Sequence, residues 1–246
     1  TLRATSPADT FANDGGDLTF RDLSSTRTGN GTIIDFSDDV LMIDRVALRS
    51  EFENRGVAAI DVSGSAIARV NDSSYHTAGN GWFFLTGDSE LFMDSATLTS
   101  TVPAGVSPAA PVILQDSRAV IAGSDLTALR VTDSAVGSPG GELTVTNSTL
   151  AGIFVAELRS SDDIVVAVSY TQMGDFGWSP TSSYTGDIRL DLDHVSLASA
   201  ATDEISVNPT LATYSYVDIQ GGSFKGATKL CVFSVVGTAP VNSSCN

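Results

Sequence analysis

The chain has 246 residues and a formal net charge of −16, because 29 acidic side chains outnumber 13 basic ones. A chain this acidic is repelled by phosphate backbones and by anionic lipids, which argues against nucleic acid as a partner. No apolar run reaches the roughly 18 residues of a membrane-spanning helix, so we expect no membrane insertion. The apolar content of 42% is high enough for a folded core.

A five-residue pattern recurs along the chain: apolar, any, apolar, any, then Asp or a polar replacement. Four of the eight intervals between its nine main copies are 22 residues, and two extra copies end at Asp61 and Asp133. Period-two alternation with a nearly constant repeat of this length predicts a solenoid with one parallel strand per rung. The main copies end at Asp22, Asp44, Asp72, Asp94, Asp116, Asn147, Ser169, His194 and Asp218.

This pattern resembles that of the right-handed parallel β-helix superfamily, which includes pectate lyases, phage tailspikes and bacterial adhesins or autotransporter passengers. Among these proteins, the chain most resembles the bacterial surface adhesins and autotransporter passengers. We expect an all-β, right-handed parallel β-helix of about nine to ten rungs over residues 17–236. Residues 1–16 would form an N-terminal cap or covering segment, and 237–246 a pinned C-terminal segment. Such a resemblance concerns architecture and says little about function.

The recurring Asp allows two interpretations. A stack of carboxylates could bind metal ions, or the side chains could accept hydrogen bonds from nearby backbone amides and stabilise tight turns. Asn147, Ser169 and His194 replace Asp in some copies. All three can hydrogen-bond locally but they are not interchangeable metal ligands, so we favour the turn interpretation.

The residues one and three positions before the Asp face outward in this alignment, and several of them are apolar. A solvated sheet face is usually more polar. We therefore expect loops or a partner to cover this surface, the partner being a second copy or another surface protein. The predicted partner surface consists of Leu41, Ile43, Leu91, Met93, Ile113, Val166 and Val168.

The best candidate for chemistry is the segment DIRLDLDH, which contains Arg189, Asp191, Asp193 and His194. Polysaccharide lyases of the resembled superfamily use outward acids to bind calcium and a base to abstract a proton. The adjacent rungs offer Val166, Val168, Ser215 and Val217 at the matching positions, and calcium needs six to eight oxygen ligands. We therefore predict no catalytic site, no metal and no cofactor, with calcium at the Asp pair as the alternative.

Aromatic residues mark a long insertion, residues 171–187, which the sequence predicts to be an irregular loop. Exposed aromatic rings on a loop can stack on sugars, or they can form a small cluster that packs the loop down. These candidate ligand-binding residues are Phe176, Trp178 and Tyr184. His76, in SSYHTAGNG, is also predicted to lie in a loop.

Two cysteines, Cys231 and Cys245, flank one loop near the C-terminal end. A disulfide between them would close a loop of about 15 residues and stabilise the fold by roughly 3 kcal/mol. The alternative is two free thiols. We expect the disulfide, and with it an exported protein located outside the cell or on its surface.

The sequence thus predicts a non-enzymatic structural or adhesive β-helix module that mediates surface attachment or self-assembly. One alternative is a small polysaccharide lyase or glycoside hydrolase acting at Asp191 and Asp193. The other is a phage-type fibre segment that binds glycans. The expected partners are a second copy, another surface protein, or a polysaccharide.

Overall fold

The computed structural model describes residues 11–13, 16–27, 32, 34–50, 60–77, 83–100, 112–132, 141–156, 163–179, 187–197, 205–207, 214–220, 223–224, 231–233 and 242–243. Within these residues the regular structure is all β-strand. No helix in this described part is long and apolar enough to cross a membrane.

The chain winds into a parallel β-solenoid, which confirms the predicted fold class. Each coil begins on a first face, where the strands form one ten-stranded parallel sheet. These strands are β2 (Leu18–Arg21), β5 (Val40–Asp44), β8 (Ile67–Asn71), β11 (Glu90–Asp94), β14 (Arg118–Ala122), β17 (Glu142–Thr146), β19 (Ile164–Ser169), β21 (Asp187–Asp193), β24 (Tyr214–Gln220) and β27 (Asn242–Ser243).

A 17-stranded parallel sheet covers the other two faces of the solenoid. The second face follows directly after the first and contains β3 (Ser24–Arg27), β6 (Ala47–Ser50), β9 (Ser74–Thr77), β12 (Thr97–Ser100), β15 (Asp125–Leu126), β22 (Ser196–Leu197) and β25 (Ser223–Phe224). The third face contains β1 (Phe11–Asn13), β4 (Ile34–Ser37), β7 (Ile60–Ser63), β10 (Phe83–Thr86), β13 (Val112–Gln115), β16 (Leu129–Thr132), β23 (Ile205–Val207) and β26 (Cys231–Phe233). Two long strands, β18 (Thr149–Ala156) and β20 (Gln172–Ser179), belong to both of these faces.

The structure has about five full turns instead of the nine to ten rungs expected from the repeats. Five consecutive coils, from Leu18 to Thr132, each contain three separate strands. In the next two coils the second and third faces share a single strand, β18 or β20. The first-face sheet continues through all ten of its strands, so the coils beyond Thr132 extend the same sheet.

In the eight coils whose turn the structure describes, one residue in the left-handed conformation leads from the first face to the second. The φ angles of these residues lie between 45° and 56°. In the first seven of these coils the backbone N–H of the turn residue donates to a carbonyl of the next coil, as in Asp22 N to Asp44 O at 3.1 Å and Tyr170 N to Asp193 O at 2.9 Å. This turn column consists of Asp22, Arg45, Asp72, Ser95, Gly123, Asn147, Tyr170 and His194.

The turn column corrects the predicted partner surface. The repeat alignment took Asp44, Asp94 and Ser169 as turn residues, but each of them ends its strand and the next residue makes the turn. A one-residue shift exchanges the two sides of a strand. Six residues of the predicted partner surface are therefore core residues, at most 2% exposed: Leu41, Ile43, Leu91, Met93, Val166 and Val168.

Ile113, the seventh predicted surface residue, lies on a different sheet from the one expected. It belongs to β13 on the third face, where it is half-buried between the buried Val112 and Leu114. The copy that ends at Asp116 is thus a strand of the third face. The next first-face strand is β14, which ends before Gly123 and carries no Asp signature.

A ladder of buried hydroxyl groups follows the turn column by one residue. The Ser148 hydroxyl donates to Thr146 O at 2.8 Å and accepts the backbone N–H of Ser124 at 3.1 Å. Ser124 repeats this arrangement towards Ala96, and the Thr171 hydroxyl accepts the N–H of Ser148 at 3.3 Å. These hydroxyls satisfy buried amides that would otherwise have no partner. The predicted turn-stabilising role therefore belongs to the residue that follows the turn residue.

Carboxylates of the recurring Asp pair with arginine on the outside of the solenoid. Arg45 donates to both oxygens of Asp22, at 2.6 and 3.0 Å, and to Asp44 at 2.8 Å. Arg21 contacts the same Asp44 carboxylate at 2.9 Å. The hydrogen bond from Arg45 holds the pKa of Asp22 below its ordinary value. These acids tie neighbouring coils together through charge.

Replacing Ser148 by Ala should lower the free energy of unfolding by about 1–3 kcal/mol, since the buried N–H of Ser124 loses its acceptor. Urea denaturation measures this loss. The matched control is Ser74→Ala, the same substitution at an exposed position, which should change stability by no more than about 0.5 kcal/mol. Equal losses in both variants would contradict the role of the ladder.

Candidate functional site

The residues singled out as candidate chemistry lie together on β21 and at the turn that follows it. Leu190 and Leu192 are buried in the core, so the alternation of the strand places Arg189, Asp191 and Asp193 on its outer side. His194 is the next turn residue, with φ at 52°. The structure thus brings the four predicted residues into one exposed group.

Two charge contacts organise this group. The Nε of Arg189 donates to Asp191 Oδ2 at 2.8 Å, and the Nδ1 of His194 shares a short hydrogen bond with Asp193 Oδ1. The side chains of Asp193 and His194 are 45% and 59% exposed. Exposed ion pairs contribute little to stability, so both pairs are available to meet a ligand at little cost to the fold.

Tyr170 joins the group from the preceding coil. Its ring stacks on the imidazole of His194, with ring centroids 5.0 Å apart and an angle of 13° between the planes. The side chain is 58% exposed, the most exposed large hydrophobic residue among those described. A bulky residue with φ at 48° is strained by about 1–3 kcal/mol. We call Tyr170, His194 and Asp193 the stacked site.

Sequence reasoning missed Tyr170 because the repeat was aligned one residue too early in that coil. With the turn column as the reference, Tyr170 and His194 occupy the same position of successive coils. The sequence signal that could have identified Tyr170 is an aromatic residue at a turn position that favours Asn, Asp or Gly.

Neighbouring coils offer small or polar residues beside the acids. Asp191 lies in register with Ala167 and Asp218, and Asp193 with Ser169 and Gln220. Relative to the neighbours inferred from the sequence, the register is shifted by one residue on the side of Val166 and Val168, and by three on the side of Ser215 and Val217. Among the described residues, no group of three or more His, Cys, Asp or Glu side chains is placed to hold a metal ion.

The predicted aromatic loop differs from the structure. Residues 172–179 form strand β20 and not an irregular loop. In the strand register Phe176 pairs with Ile153 and Trp178 with Val155, both of which are core positions. Tyr184 lies outside the described residues. Phe176 and Trp178 thus belong to a strand, and their predicted role in ligand binding stays a prediction.

Cys231 lies in β26, where it is in register with Ile205 of β23. Cys245 lies outside the described residues. The disulfide between them stays a prediction.

A second group of charges lies on the third face, away from the stacked site. Asp35 and Asp61 are register partners on adjacent strands, and Asp61 is in turn the partner of Phe84. Burial raises the pKa of Asp61, and the neighbouring charge of Asp35 raises it further. Such like-charge pairing destabilises the folded state at neutral pH.

Comparison of the chain with protein-family models, with curated proteins and with solved structures gives no match. Functional inference therefore depends on the chemistry of the surface.

The Asp61→Asn variant should have a higher free energy of unfolding than the native protein at pH 7. The expected increase is roughly 0.2–1 kcal/mol, the interaction energy of one cross-strand pair. A pKa raised in the folded state means that the carboxyl group stabilises most below its unfolded pKa, and that this stability is lost as the pH rises. The stability gained by the Asn substitution should therefore vanish near pH 3. Thermal denaturation between pH 3 and 7 measures this difference in stability. Asp125→Asn, at an exposed acid of the second face, is the control, and an equal gain there would contradict the assignment.

Proposed function

We propose that the protein is a non-enzymatic adhesive module of an extracellular or cell-surface assembly, and that it binds a glycan at the stacked site. The observation that carries this proposal is the exposure of Tyr170 on top of His194. The parallel solenoid provides a rigid rod in which coils repeat at about 4.8 Å. The adhesive part of the function then depends on what the surface of this rod recognises.

The chemistry of the stacked site suits a saccharide. A sugar ring presents C–H bonds that pack on aromatic groups, and hydroxyls that need planar polar partners. Tyr170 and His194 supply the aromatic groups, and Asp193, Asp191 and Arg189 supply carboxylate and guanidinium groups within the same patch. Binding sites of this kind combine an aromatic surface with a few fixed polar groups. A nucleic-acid base could also stack there, but a net charge of −16 opposes its phosphates.

Self-assembly has less support than glycan binding. It was inferred from apolar residues expected on the surface, and six of the seven lie in the core. Export and location outside the cell depend on the predicted pair of Cys231 and Cys245.

One contact, that between His194 and Asp193, supports a lyase or hydrolase activity as a second candidate function. An imidazole held by a carboxylate, as His194 is held by Asp193, is the arrangement that orients a general base. The same experiment separates the two functions, because an enzyme would release shortened products.

Glycan-array binding followed by calorimetry tests the proposal with Tyr170→Asn. Asn removes the ring and suits the left-handed turn, so the variant should lose glycan affinity at least tenfold while it keeps its thermal stability. Ser95→Asn, at the same turn position of another coil, should bind as the native protein does.

Unchanged affinity in Tyr170→Asn, or no binding to any glycan by the native protein, would refute the proposal. Products that accumulate with the native protein but not with His194→Gln would identify an enzyme.

A further inference from the structure

The charges around the stacked site do not balance. Arg189 donates to Asp191 at 2.8 Å, so these two charges offset each other. Asp193 is hydrogen-bonded to the imidazole of His194, which adds no charge when histidine is counted as neutral at pH 7. One carboxylate charge is therefore left without a cation, next to the imidazole on which Tyr170 stacks.

The neighbouring strands bring no positive charge to this carboxylate. The strands on either side of β21 are β19 and β24, and neither contains Lys or Arg. The register partners of Asp193 are Ser169 and Gln220, which are uncharged. Because β24 also contains Asp218, the acidic residues of these three strands outnumber their one arginine.

Both the carboxylate and the aromatic ring are accessible to a ligand. The side chain of Asp193 is 45% exposed, and Tyr170 is 58% exposed. The imidazole of His194 occupies Oδ1 of Asp193, and within the described part of the chain no other side chain donates to this carboxylate. Its Oδ2 can therefore accept hydrogen bonds from a bound molecule.

An organic ammonium group fits this arrangement better than other ligand groups do. A hydrogen bond from an ammonium to a carboxylate is roughly twice as strong as one between neutral groups, and a cation is also attracted to an aromatic face. Calcium needs six to eight oxygen ligands, and the described residues place no three ligating side chains together. An anionic sugar would be repelled by the carboxylate and by a chain of net charge −16.

We propose that the stacked site is selective for polysaccharides that carry free amino groups. This inference rests on the glycan-binding function proposed above, and it names the substrate class of that site. The C–H groups of the amino sugar pack on Tyr170, and its ammonium group donates to Asp193. Acetylation of the amine removes the positive charge, so an acetylated sugar keeps only the aromatic contact and neutral hydrogen bonds.

Calorimetry at pH 7 with two trisaccharides tests this selectivity: a glucosamine trisaccharide and its fully N-acetylated form. Sugar amines resemble the α-amino group, whose pKa is about 7.7–8.0, so most of them are protonated at this pH. The amino trisaccharide should bind at least ten times more tightly than the acetylated one. Its binding should also weaken as the salt concentration rises, because the additional attraction is electrostatic.

Asp193→Asn removes the charge and keeps an acceptor oxygen for His194. This variant should bind the amino trisaccharide about tenfold more weakly, while its affinity for the acetylated form should change less than about threefold. The matched control is Asp94→Asn, at the exposed last residue of β11 and directly before the turn residue Ser95. The control makes the same change in net charge and should bind both sugars as the native protein does. Circular dichroism confirms that both variants are folded.

Trilysine tests whether charge alone is sufficient for binding. It carries three ammonium groups but no sugar ring to pack on Tyr170. It should therefore bind the native protein at least ten times more weakly than the amino trisaccharide does.

The outcomes separate this selectivity from glycan binding itself. Equal affinity for the two trisaccharides would overturn the selectivity and leave the proposed function standing, whereas no binding of any glycan would refute both. Unchanged binding of the amino trisaccharide in folded Asp193→Asn would overturn the selectivity as well. The same holds for an equal loss in Asp94→Asn, and for trilysine that binds as tightly as the amino sugar.

Discussion

The structure depends on the stacking of successive coils in register, which the turn between the first and second faces enforces. In the eight coils whose turn the structure describes, one residue adopts the left-handed conformation, and in the first seven its N–H donates to a carbonyl of the coil that follows. The hydroxyl ladder then satisfies the buried amides next to that turn. Because strands alternate with a period of two, this turn decides which side chains enter the core. A shift by one residue in a single coil would expose that coil's apolar residues.

Much of this fold could be predicted from the sequence, because alternation and repeat length are direct results of strand geometry and coil size. The precise register could not be predicted in every coil. Asp22, Asp72 and Asn147 are turn residues that favour the left-handed conformation, and there the alignment was correct. In other coils Arg45, Ser95 and Tyr170 make the turn. The polar residue before each of them matches the last position of the repeat, although it still belongs to the strand. Local propensity identified the wrong residue where interactions with neighbouring coils determine the turn.

The candidate site was only partly visible in the sequence. Arg189, Asp191, Asp193 and His194 are close together along the chain, so their common location was predictable. Tyr170 and His194 are 24 residues apart in sequence, and only the coil spacing brings their rings together. His76, which was predicted to lie in a loop, belongs to strand β9. Sites built across coils need the register, which is the quantity that the sequence determines least well.

The hydroxyl ladder is unevenly distributed along the axis. It is continuous through Ser124, Ser148 and Thr171, whereas in the first coils Ser73 accepts the N–H of Val46 at 3.1 Å but lies between Val46 and Ala96, which carry no hydroxyl. Each coil of a solenoid contacts only its neighbours, so local stability follows local bonding. Backbone amides near residues 124–171 should therefore exchange with deuterium more slowly than those of the first coils. The rod would open first at the end where the ladder is broken.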